Sequence, residues 1–205
     1  MEFVFRKKKI VFEIFLSPLD RLVLKFVSVL NRQKIDYVIV SGYIAILFGR
    51  SRNTEDVDLF VGETPFEKFL LLWNDLEKNG FWCINDSSPK NAFEHYLKDG
   101  LAIRFAEKGM DIPNFEIKFP KSKYNFYSLK NKVEVVLNGK SLNTSEMELQ
   151  TAFKLYLGSE KDFEDAKHLY NVFKEHLDIN LLKKHIKELK VEKQAEGVLW
   201  KKFQN

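Results

Sequence analysis

Two aspartates, Asp56 and Asp58, are separated by one residue at the start of an apolar run that ends at Val61. Side chains alternate across a β-strand, so this spacing would place both carboxylates on one face, roughly 6–7 Å apart. Such a pair can hold Mg²⁺ or Mn²⁺, which take oxygen ligands and keep coordination positions for phosphate oxygens. Phosphoryl or nucleotidyl transfer uses an ion of this kind to neutralise charge and to orient the reacting oxygens.

A Ser-Gly pair, Ser41-Gly42, stands upstream and follows the apolar run Tyr37–Val40. The run predicts a buried strand, and the apolar residues that follow, as far as Phe48, predict a helix of about two turns. Gly42 would let a ligand approach the backbone closely, and the helix N-terminus would direct N–H groups at an anion. With the Ser41 hydroxyl as a further donor, the pair predicts a phosphate-binding site.

Two arginines, Arg50 and Arg52, lie in the polar segment between the Ser-Gly pair and the aspartates. Their guanidinium groups could hold triphosphate oxygens through forked hydrogen bonds, which would make both residues nucleotide ligands. The alternative is that they only complement the dipole at the end of the preceding helix. Ser-Gly and Asp-x-Asp are each common alone, and their combination in this order is more specific.

In that order, segment 37–61 resembles the nucleotidyltransferase superfamily (polymerase-beta-like fold), in which a Gly-Ser or Gly-Gly pair is followed by Asp-x-Asp. This chain departs from the superfamily at Ser41, where a glycine is usual. A second segment, 144–170, is similar to the helical part of abortive-infection-type and related minimal nucleotidyltransferases. There a lysine on one helix precedes a Lys-Asp-x-x-Asp element on the next, and the matching residues here are Lys154, Lys161, Asp162 and Asp165.

The resemblance implies that the two aspartates bind Mg²⁺ (or Mn²⁺) and act in catalysis, and that the Ser-Gly pair binds the triphosphate of an NTP. It also implies a third carboxylate on a later strand. Glu116, in the strand-like run 115–119, is the preferred third metal ligand and general base, and Asp111, in a hairpin loop, is the alternative. Glu116 can equally be a solvent-facing strand residue that pairs with Lys118 or another lysine.

The helical segment offers further candidates. The resemblance implies that Lys154 and Lys161 contact the nucleotide, Lys161 near the triphosphate. Asp162 and Asp165 either approach the site or cap and orient helices, which is the usual role of aspartate at a helix start.

Patterning along the chain predicts an α+β fold. Strand-like runs lie at 37–40, 57–61, 81–84, 101–106, 115–119 and 133–137. Helix starts are expected at Ser17-Pro18 and at a capping box, Thr64-Pro65-Phe66-Glu67. Partial alternation of Phe3, Phe5, Phe12 and Phe15 predicts a hairpin or edge strand around the basic turn 6–9, used for core packing or a dimer contact.

The residue pattern of the sequence changes near residue 143. From Ser145 onward there is no proline, and apolar residues follow helical spacing. We therefore predict a polymerase-beta-like mixed β-sheet with flanking helices over residues 1–142 and a C-terminal helical bundle over residues 143–205.

Composition excludes several classes of protein. The chain has 205 residues, 45% of them hydrophobic and 30% charged, with a net charge of +4. Basic residues are concentrated in 1–35 and 183–205 around an acidic centre, which suits a carboxylate site with a polyanion at its rim, or simply solvated faces. A single cysteine, Cys83, is expected in the core, and the four histidines lack metal-ligand spacing. The apolar runs are too short to span a membrane, so a cytoplasmic protein is expected.

We therefore expect a metal-dependent nucleotidyltransferase that moves a nucleoside monophosphate from an NTP to a hydroxyl on a protein, an RNA or a small molecule. The resemblance implies a partner protein or tRNA, as in toxin–antitoxin pairs. The sequence leaves open whether the protein forms a homodimer. One alternative is a catalytically degenerate member of the fold that serves as a binding module or antitoxin. A second is an RNA-binding protein in which the aspartate pair is incidental.

Overall fold

The computed structural model describes residues 2–200, and its strands pair into one mixed sheet. These strands are β1 (Val4–Arg6), β2 (Lys9–Phe12), β3 (Tyr37–Val40), β4 (Asp56–Val61), β5 (Phe81–Cys83), β6 (Ile103–Glu107), β7 (Asn114–Lys118), β8 (Val133–Leu137) and β9 (Lys140–Thr144). Their order across the sheet is β1-β2-β8-β9-β3-β4-β7-β6-β5. β4 therefore lies near the middle, antiparallel to β3 and parallel to β7.

The helices of the described residues connect and cover these strands. They are α1 (Pro18–Arg32), α2 (Gly42–Leu47), α3 (Phe66–Lys78), α4 (Pro89–Ala92), α5 (Lys123–Lys130), α6 (Met147–Leu157), α7 (Glu160–Phe173), α8 (Ile179–Leu189) and α9 (Glu192–Val198). α4 continues into a π-helical segment, Phe93–Leu97. Within residues 2–200, no helix combines the length and the apolar character needed to cross a membrane. The sheet with its helices confirms the predicted α+β class.

The start of α1 shows how local chemistry fixes a helix. Ser17 accepts a hydrogen bond from the Asp20 N–H, and the Asp20 carboxylate accepts one from the Ser17 N–H, which is the capping box of a helix start. The buried Asp20 also accepts a hydrogen bond from the Tyr43 hydroxyl at 2.9 Å. The predicted start of α1 is confirmed, and the same carboxylate joins α1 to α2.

The predicted capping box at Thr64 is wrong. α3 begins at Phe66, with Pro65 as its N-cap and no side-chain capping bond. Glu67 is therefore the second residue of the helix instead of the third, so Thr64 and Glu67 are one position out of register for the reciprocal bonds.

The central strands present one face to the main core and the other to the candidate site. Val57, Leu59 and Val61 of β4 are buried in the core, whereas Asp56 and Asp58 alternate to the opposite face. On the core side, Phe26 of α1 stacks on Phe115 of β7 with ring centroids 3.8 Å apart. On the site side, α5 packs against β3 and β4, and α6 contacts α7 and α8.

All six predicted strands are confirmed within two residues at each end, and β3 and β8 match at both ends. The hairpin predicted around residues 6–9 is present as the antiparallel pair β1–β2, but Phe15 lies outside it and is 93% exposed. β9 was missed, because its sequence, Lys-Ser-Leu-Asn-Thr, is mostly polar and its strand character comes from pairing with β8 and β3. The predicted boundary after residue 142 falls inside β9. A second apolar cluster, which includes Ala152, Leu155 and Leu182, lies among the helices that follow it.

Replacing Phe26 by alanine is expected to lower the free energy of unfolding by about 3–5 kcal/mol, because this ring is fully buried and its removal leaves a cavity against Phe115. Urea denaturation measures the change. Leu71→Ala is the control, since Leu71 is 59% exposed on α3 and should change the value by no more than about 0.5 kcal/mol. Equal losses in the two variants would contradict the assigned core.

Candidate functional site

The strand register brings three carboxylates to one face of the sheet. Asp56 and Asp58 belong to β4, and parallel pairing with β7 places Glu116 opposite Asp58 and Asn114 opposite Asp56. Alternation along the two strands then brings Glu116 to the same face as the aspartates. The residues predicted as the carboxylate set are therefore neighbours in space.

The environment of Asp58 disfavours its charged form. Its side chain is 24% exposed. Burial raises the pKa of Asp58, and the nearby carboxylates of Asp56 and Glu116 raise it further. Lys118, whose Nζ lies 3.8 Å from Asp58 Oδ1, and a hydrogen bond from Ser41 lower this pKa without reversing the net increase. A cation bound at this carboxylate would favour its charged form.

The environment of Glu116, in contrast, favours its charged form, because this carboxylate is paired with two cations. Arg104 of β6 lies opposite Glu116 and donates from Nε and Nη2 to Oε2, at 2.9 and 2.8 Å. Lys118 Nζ contacts Oε1. Burial raises the pKa of Glu116, but hydrogen bonds from Lys118 and Arg104 outweigh it and the pKa is lowered overall. The pairing with Lys118 is the one that the alternative to a metal-binding role named, but Glu116 is buried and is not the solvent-facing residue of that alternative.

Arg104 was missed by sequence reasoning. Its position in an alternating strand is a weak signal, and its contact with Glu116 depends on the pairing of β6 with β7. Asp111, the alternative third carboxylate, lies exposed in the turn before β7, where its backbone oxygen accepts a hydrogen bond from Asn114 Nδ2.

Ser41 and Gly42 connect β3 to α2 as predicted, and α6 holds this turn. Ser41 has φ 65° and ψ −137°, a conformation that glycine adopts more easily. The buried Gln150 side chain accepts from the Ser41 N–H at 3.3 Å and donates to its carbonyl oxygen at 3.0 Å. At Gly42 a Cβ would lie 2.9 Å from Arg52 Nη2, so the glycine makes room for the guanidinium. The Ser41 N–H is thus already satisfied within the protein, by a residue that the sequence did not single out.

Arg50 and Arg52 are both paired with Asp165 of α7. Arg52 Nη1 lies 2.5 Å from Asp165 Oδ2, and Arg50 Nη1 contacts Asp165 Oδ1. Arg50 also contacts the carboxylate of Glu164 and donates to the backbone oxygen of Lys161 at 2.9 Å. Asp165 is fully buried, and the two arginine side chains are 14% and 10% exposed. The arginines therefore join the segment before β4 to α7.

Lys154 completes this buried cluster. Its Nζ lies 2.6 Å from Asp162 Oδ1 and 2.9 Å from Asp165 Oδ2, and its side chain is 3% exposed. Asp162 takes part in the start of α7, where Ser159 accepts a hydrogen bond from its N–H. The Lys161 side chain is exposed. The structure thus places three of the four predicted nucleotide-binding cations around Asp165. None of the four lines the cleft between the sheet and helices α5 and α6.

A cleft of about 220 Å³ lies between the carboxylate face of the sheet and helices α5 and α6. On the sheet side it is lined by Val40, Ser41, Asp58, Phe60 and Lys118, and on the opposite side by Tyr124, Asn125, Ser128, Ser145, Leu149, Gln150, Phe153 and Leu157. The rings of Tyr124 and Phe153 have centroids 6.4 Å apart. Asp58 and Lys118 are therefore the one carboxylate and the one ammonium among the described residues that line a mainly apolar cleft.

The aspartate pair fits a magnesium or manganese ion that arrives with a phosphate ligand. These ions often use one or two protein carboxylates and take their other ligands from water and substrate phosphates. Within residues 2–200, no cluster of three or more Asp, Glu, His or Cys side chains is arranged to hold a metal ion. The two oxygens of Glu116, the preferred third ligand, are in contact with Arg104 and Lys118, and its role as a metal ligand stays a prediction.

Comparison with solved structures finds the same fold in nucleotidyltransferases. An antigenic nucleotidyltransferase-like protein from Paracoccidioides brasiliensis is 17% identical, with a TM-score of 0.51 over 93% of this chain and 96% of that chain. ANT(2″)-Ia in complex with adenylyl-2″-tobramycin is 12% identical, with a TM-score of 0.56 over 85% of this chain and 98% of that chain. The solution structure of the antibiotic-resistance factor ANT(2″)-Ia gives 13% identity and a TM-score of 0.55 over 88% and 97%.

No protein-family model matches the chain, and no match is found among curated proteins. The structural neighbours show that the chain shares the fold of these proteins, which is the fold that its sequence predicts.

Asp165→Asn is expected to lower the free energy of unfolding by about 3 kcal/mol, because it leaves Arg50, Arg52 and Lys154 without their shared buried partner. Urea denaturation measures this loss. Glu164→Gln is the matched control, since Glu164 is 60% exposed and its pairing with Arg50 should contribute less than about 1 kcal/mol. Similar values for both variants would rule out the assigned role of Asp165.

Asp58→Asn is expected to raise Tm at neutral pH. The pKa of Asp58 is raised in the folded state, so the stability contributed by its protonated form is lost as the pH rises through that pKa. The Asp58→Asn variant has no carboxyl group at this position, so it does not lose stability in this way. The gain in Tm should therefore grow as the pH rises above about 4, the ordinary value for aspartate, and vanish below it.

Thermal unfolding followed by circular dichroism across this pH range tests the expectation. Asp99→Asn, at an exposed turn residue, is the control and should show no such pH-dependent gain. A Tm of Asp58→Asn below that of the wild type at neutral pH would contradict the assigned environment of Asp58.

Proposed function

We propose that this protein is a divalent-metal-dependent nucleotidyltransferase that transfers a nucleoside monophosphate from an NTP to an acceptor hydroxyl. The acceptor oxygen forms a bond to the α-phosphorus, and the bond from that phosphorus to the oxygen bridging the β-phosphorus breaks. Pyrophosphate leaves with the electron pair of the broken bond, and the proton of the acceptor hydroxyl passes to a water molecule.

One observation carries the proposal. Asp58, half of an Asp-x-Asp pair, lies beside the Ser41–Gly42 turn at a cleft between the sheet and the helices. The fold around them is shared with nucleotidyltransferases, one of which was solved with an adenylylated product. A carboxylate pair at an open cleft suits a reaction in which positioning and charge neutralisation supply most of the catalysis.

The residues of the site have distinct proposed roles. Asp56 and Asp58 hold Mg²⁺ or Mn²⁺, which when bound neutralises charge on the phosphates and orients them. The Ser41 hydroxyl lies at the cleft beside Asp58 and donates to a phosphate oxygen. Lys161 has an exposed side chain and is the candidate for a further phosphate contact from α7.

Arg50, Arg52 and Lys154 act through Asp165 as positioning residues. Their contacts fix the segment that leads into Asp56 and the helices that carry Gln150. Since Gln150 in turn holds the Ser41 peptide group, the cluster supports both the Ser-Gly turn and the aspartate pair.

The lining of the cleft favours an uncharged or anionic acceptor group. Tyr124 and Phe153 offer aromatic faces, and Lys118 adds a positive charge next to Asp58. An acceptor that carries several positive charges would find a single carboxylate there to pair with. A hydroxyl on an RNA end, a protein side chain or a neutral small molecule fits this chemistry better.

A second candidate is a nucleotidyltransferase fold that binds nucleotide or a partner protein without catalysis, as an antitoxin would. Three groups predicted to contact the nucleotide are paired with Asp165, and the Ser41 N–H is bonded to Gln150. These internal pairings favour the second candidate, because each would have to be exchanged for a contact with phosphate.

Incubation with each α-³²P-labelled NTP and Mg²⁺ tests the proposed function. Total RNA, the protein itself and a small-molecule extract serve in turn as acceptors, and the labelled products are separated by gel and thin-layer chromatography. The wild type is expected to transfer label, and Asp58→Asn is expected to reduce the rate by a factor of about 100 or more. Asp99→Asn, the same change at an exposed turn, should retain the wild-type rate.

The outcomes separate the two candidates. Label transferred by the wild type and Asp99→Asn, but not by Asp58→Asn, supports the enzyme and identifies the nucleotide. Absence of transfer to any acceptor, together with NTP binding in equilibrium dialysis, supports the binding module. Equal transfer by wild type and Asp58→Asn would exclude the proposed site.

A further inference from the structure

The carboxylate face already contains a positive charge between Asp58 and Glu116. Lys118 follows Glu116 by two residues on β7, so both side chains lie on the same face of the sheet. Lys118 Nζ contacts Glu116 Oε1 and lies 3.8 Å from Asp58 Oδ1. One ammonium group is therefore shared by the two carboxylates that the β4–β7 register places side by side.

This ammonium is held in place. Arg104 occupies Oε2 of Glu116, which leaves Oε1 to Lys118. The Lys118 side chain is 36% exposed and lines the cleft together with Asp58. Glu116 is 11% exposed, so separating it from both cations would leave a largely buried carboxylate uncompensated.

Three carboxylates on one face could in principle hold two divalent ions, the arrangement of many two-metal phosphoryl-transfer sites, whose ions are about 3.5–4 Å apart. Here a second ion shared by Asp58 and Glu116 would have to occupy the region that holds Lys118 Nζ. Two cations repel each other strongly at such a separation in a partly buried site. The ammonium and a second ion are therefore mutually exclusive.

We propose that Lys118 is a built-in cation that takes the place of a second divalent ion, so that the site binds one ion, through Asp56 and Asp58. This inference rests on the proposed function, because it assumes that the aspartate pair is a metal site. Glu116 is then a positioning residue that holds Lys118 beside Asp58. The ammonium contributes a fixed positive charge at the cleft wall, where the phosphates of the nucleotide would lie.

Mn²⁺ titration followed by electron paramagnetic resonance, which reports the free ion, tests the stoichiometry without requiring activity. The wild type is expected to bind one Mn²⁺ per chain. Lys118→Met, which has a similar length and no charge, should bind two and should bind the first about tenfold more tightly. Lys118→Arg keeps a cation in place and should bind one.

Lys130→Met is the matched control, since Lys130 is exposed on α5 and its loss changes the net charge equally. This variant should behave as the wild type, which separates a local effect from a change in overall charge. Circular dichroism of each variant verifies that it is folded, and Lys118→Arg keeps the proposal testable should Lys118→Met unfold, because a second ion in that variant would overturn it.

The outcomes distinguish this inference from the proposed function. Two ions in the wild type, or one ion in a folded Lys118→Met, would overturn the role of Lys118 and leave the aspartate metal site intact. No Mn²⁺ bound by the wild type or by Lys118→Met would overturn the metal site itself, and the inference with it.

Discussion

Parallel pairing of β4 with β7 sets Asp58 directly beside Glu116, and the rest of the site is organised around these two like charges. Neighbouring carboxylates on adjacent strands destabilise a sheet unless cations compensate them. Arg104 and Lys118 each pair with one oxygen of Glu116, and these hydrogen bonds lower its pKa despite its burial. Asp58 has the more distant contact with Lys118, at 3.8 Å, and burial together with the neighbouring carboxylates raises its pKa. The protein thus compensates the charge of Glu116 and leaves the charge of Asp58 less well compensated.

A second cluster, in which several cations surround one buried carboxylate, joins the helices to the sheet. Asp165 is a single buried carboxylate surrounded by Arg50, Arg52 and Lys154, with Asp162 as a second partner of the lysine. The cluster ties the segment before β4 to α6 and α7. Because Gln150 on α6 also holds the Ser41 peptide group, movement of these helices would alter the turn and the aspartate pair together. The geometry of the cleft therefore depends on three cations that the sequence assigns to the nucleotide, Arg50, Arg52 and Lys154.

The parts of this structure that depend on near neighbours in the chain could be predicted from the sequence. The buried strand β3, the Ser41–Gly42 turn and the alternation of Asp56 and Asp58 follow from local patterns. The contacts of Arg104 and Gln150 could not be predicted, because they depend on which strands and helices become neighbours. β9 was missed for the same reason, since a polar segment becomes a strand only through its partners.

The charges of the cleft also constrain how a nucleotide and an ion would bind. A triphosphate alone would be repelled by Asp56 and Asp58, and Lys118 offsets only part of that repulsion. An ion alone would have two protein carboxylates and would take its other ligands from water. Each ligand supplies what the other lacks, so each should strengthen the binding of the other by the same factor. If the proposed function holds, the two aspartates supply only part of the ligands of the ion, and the phosphates of the nucleotide and water supply the rest.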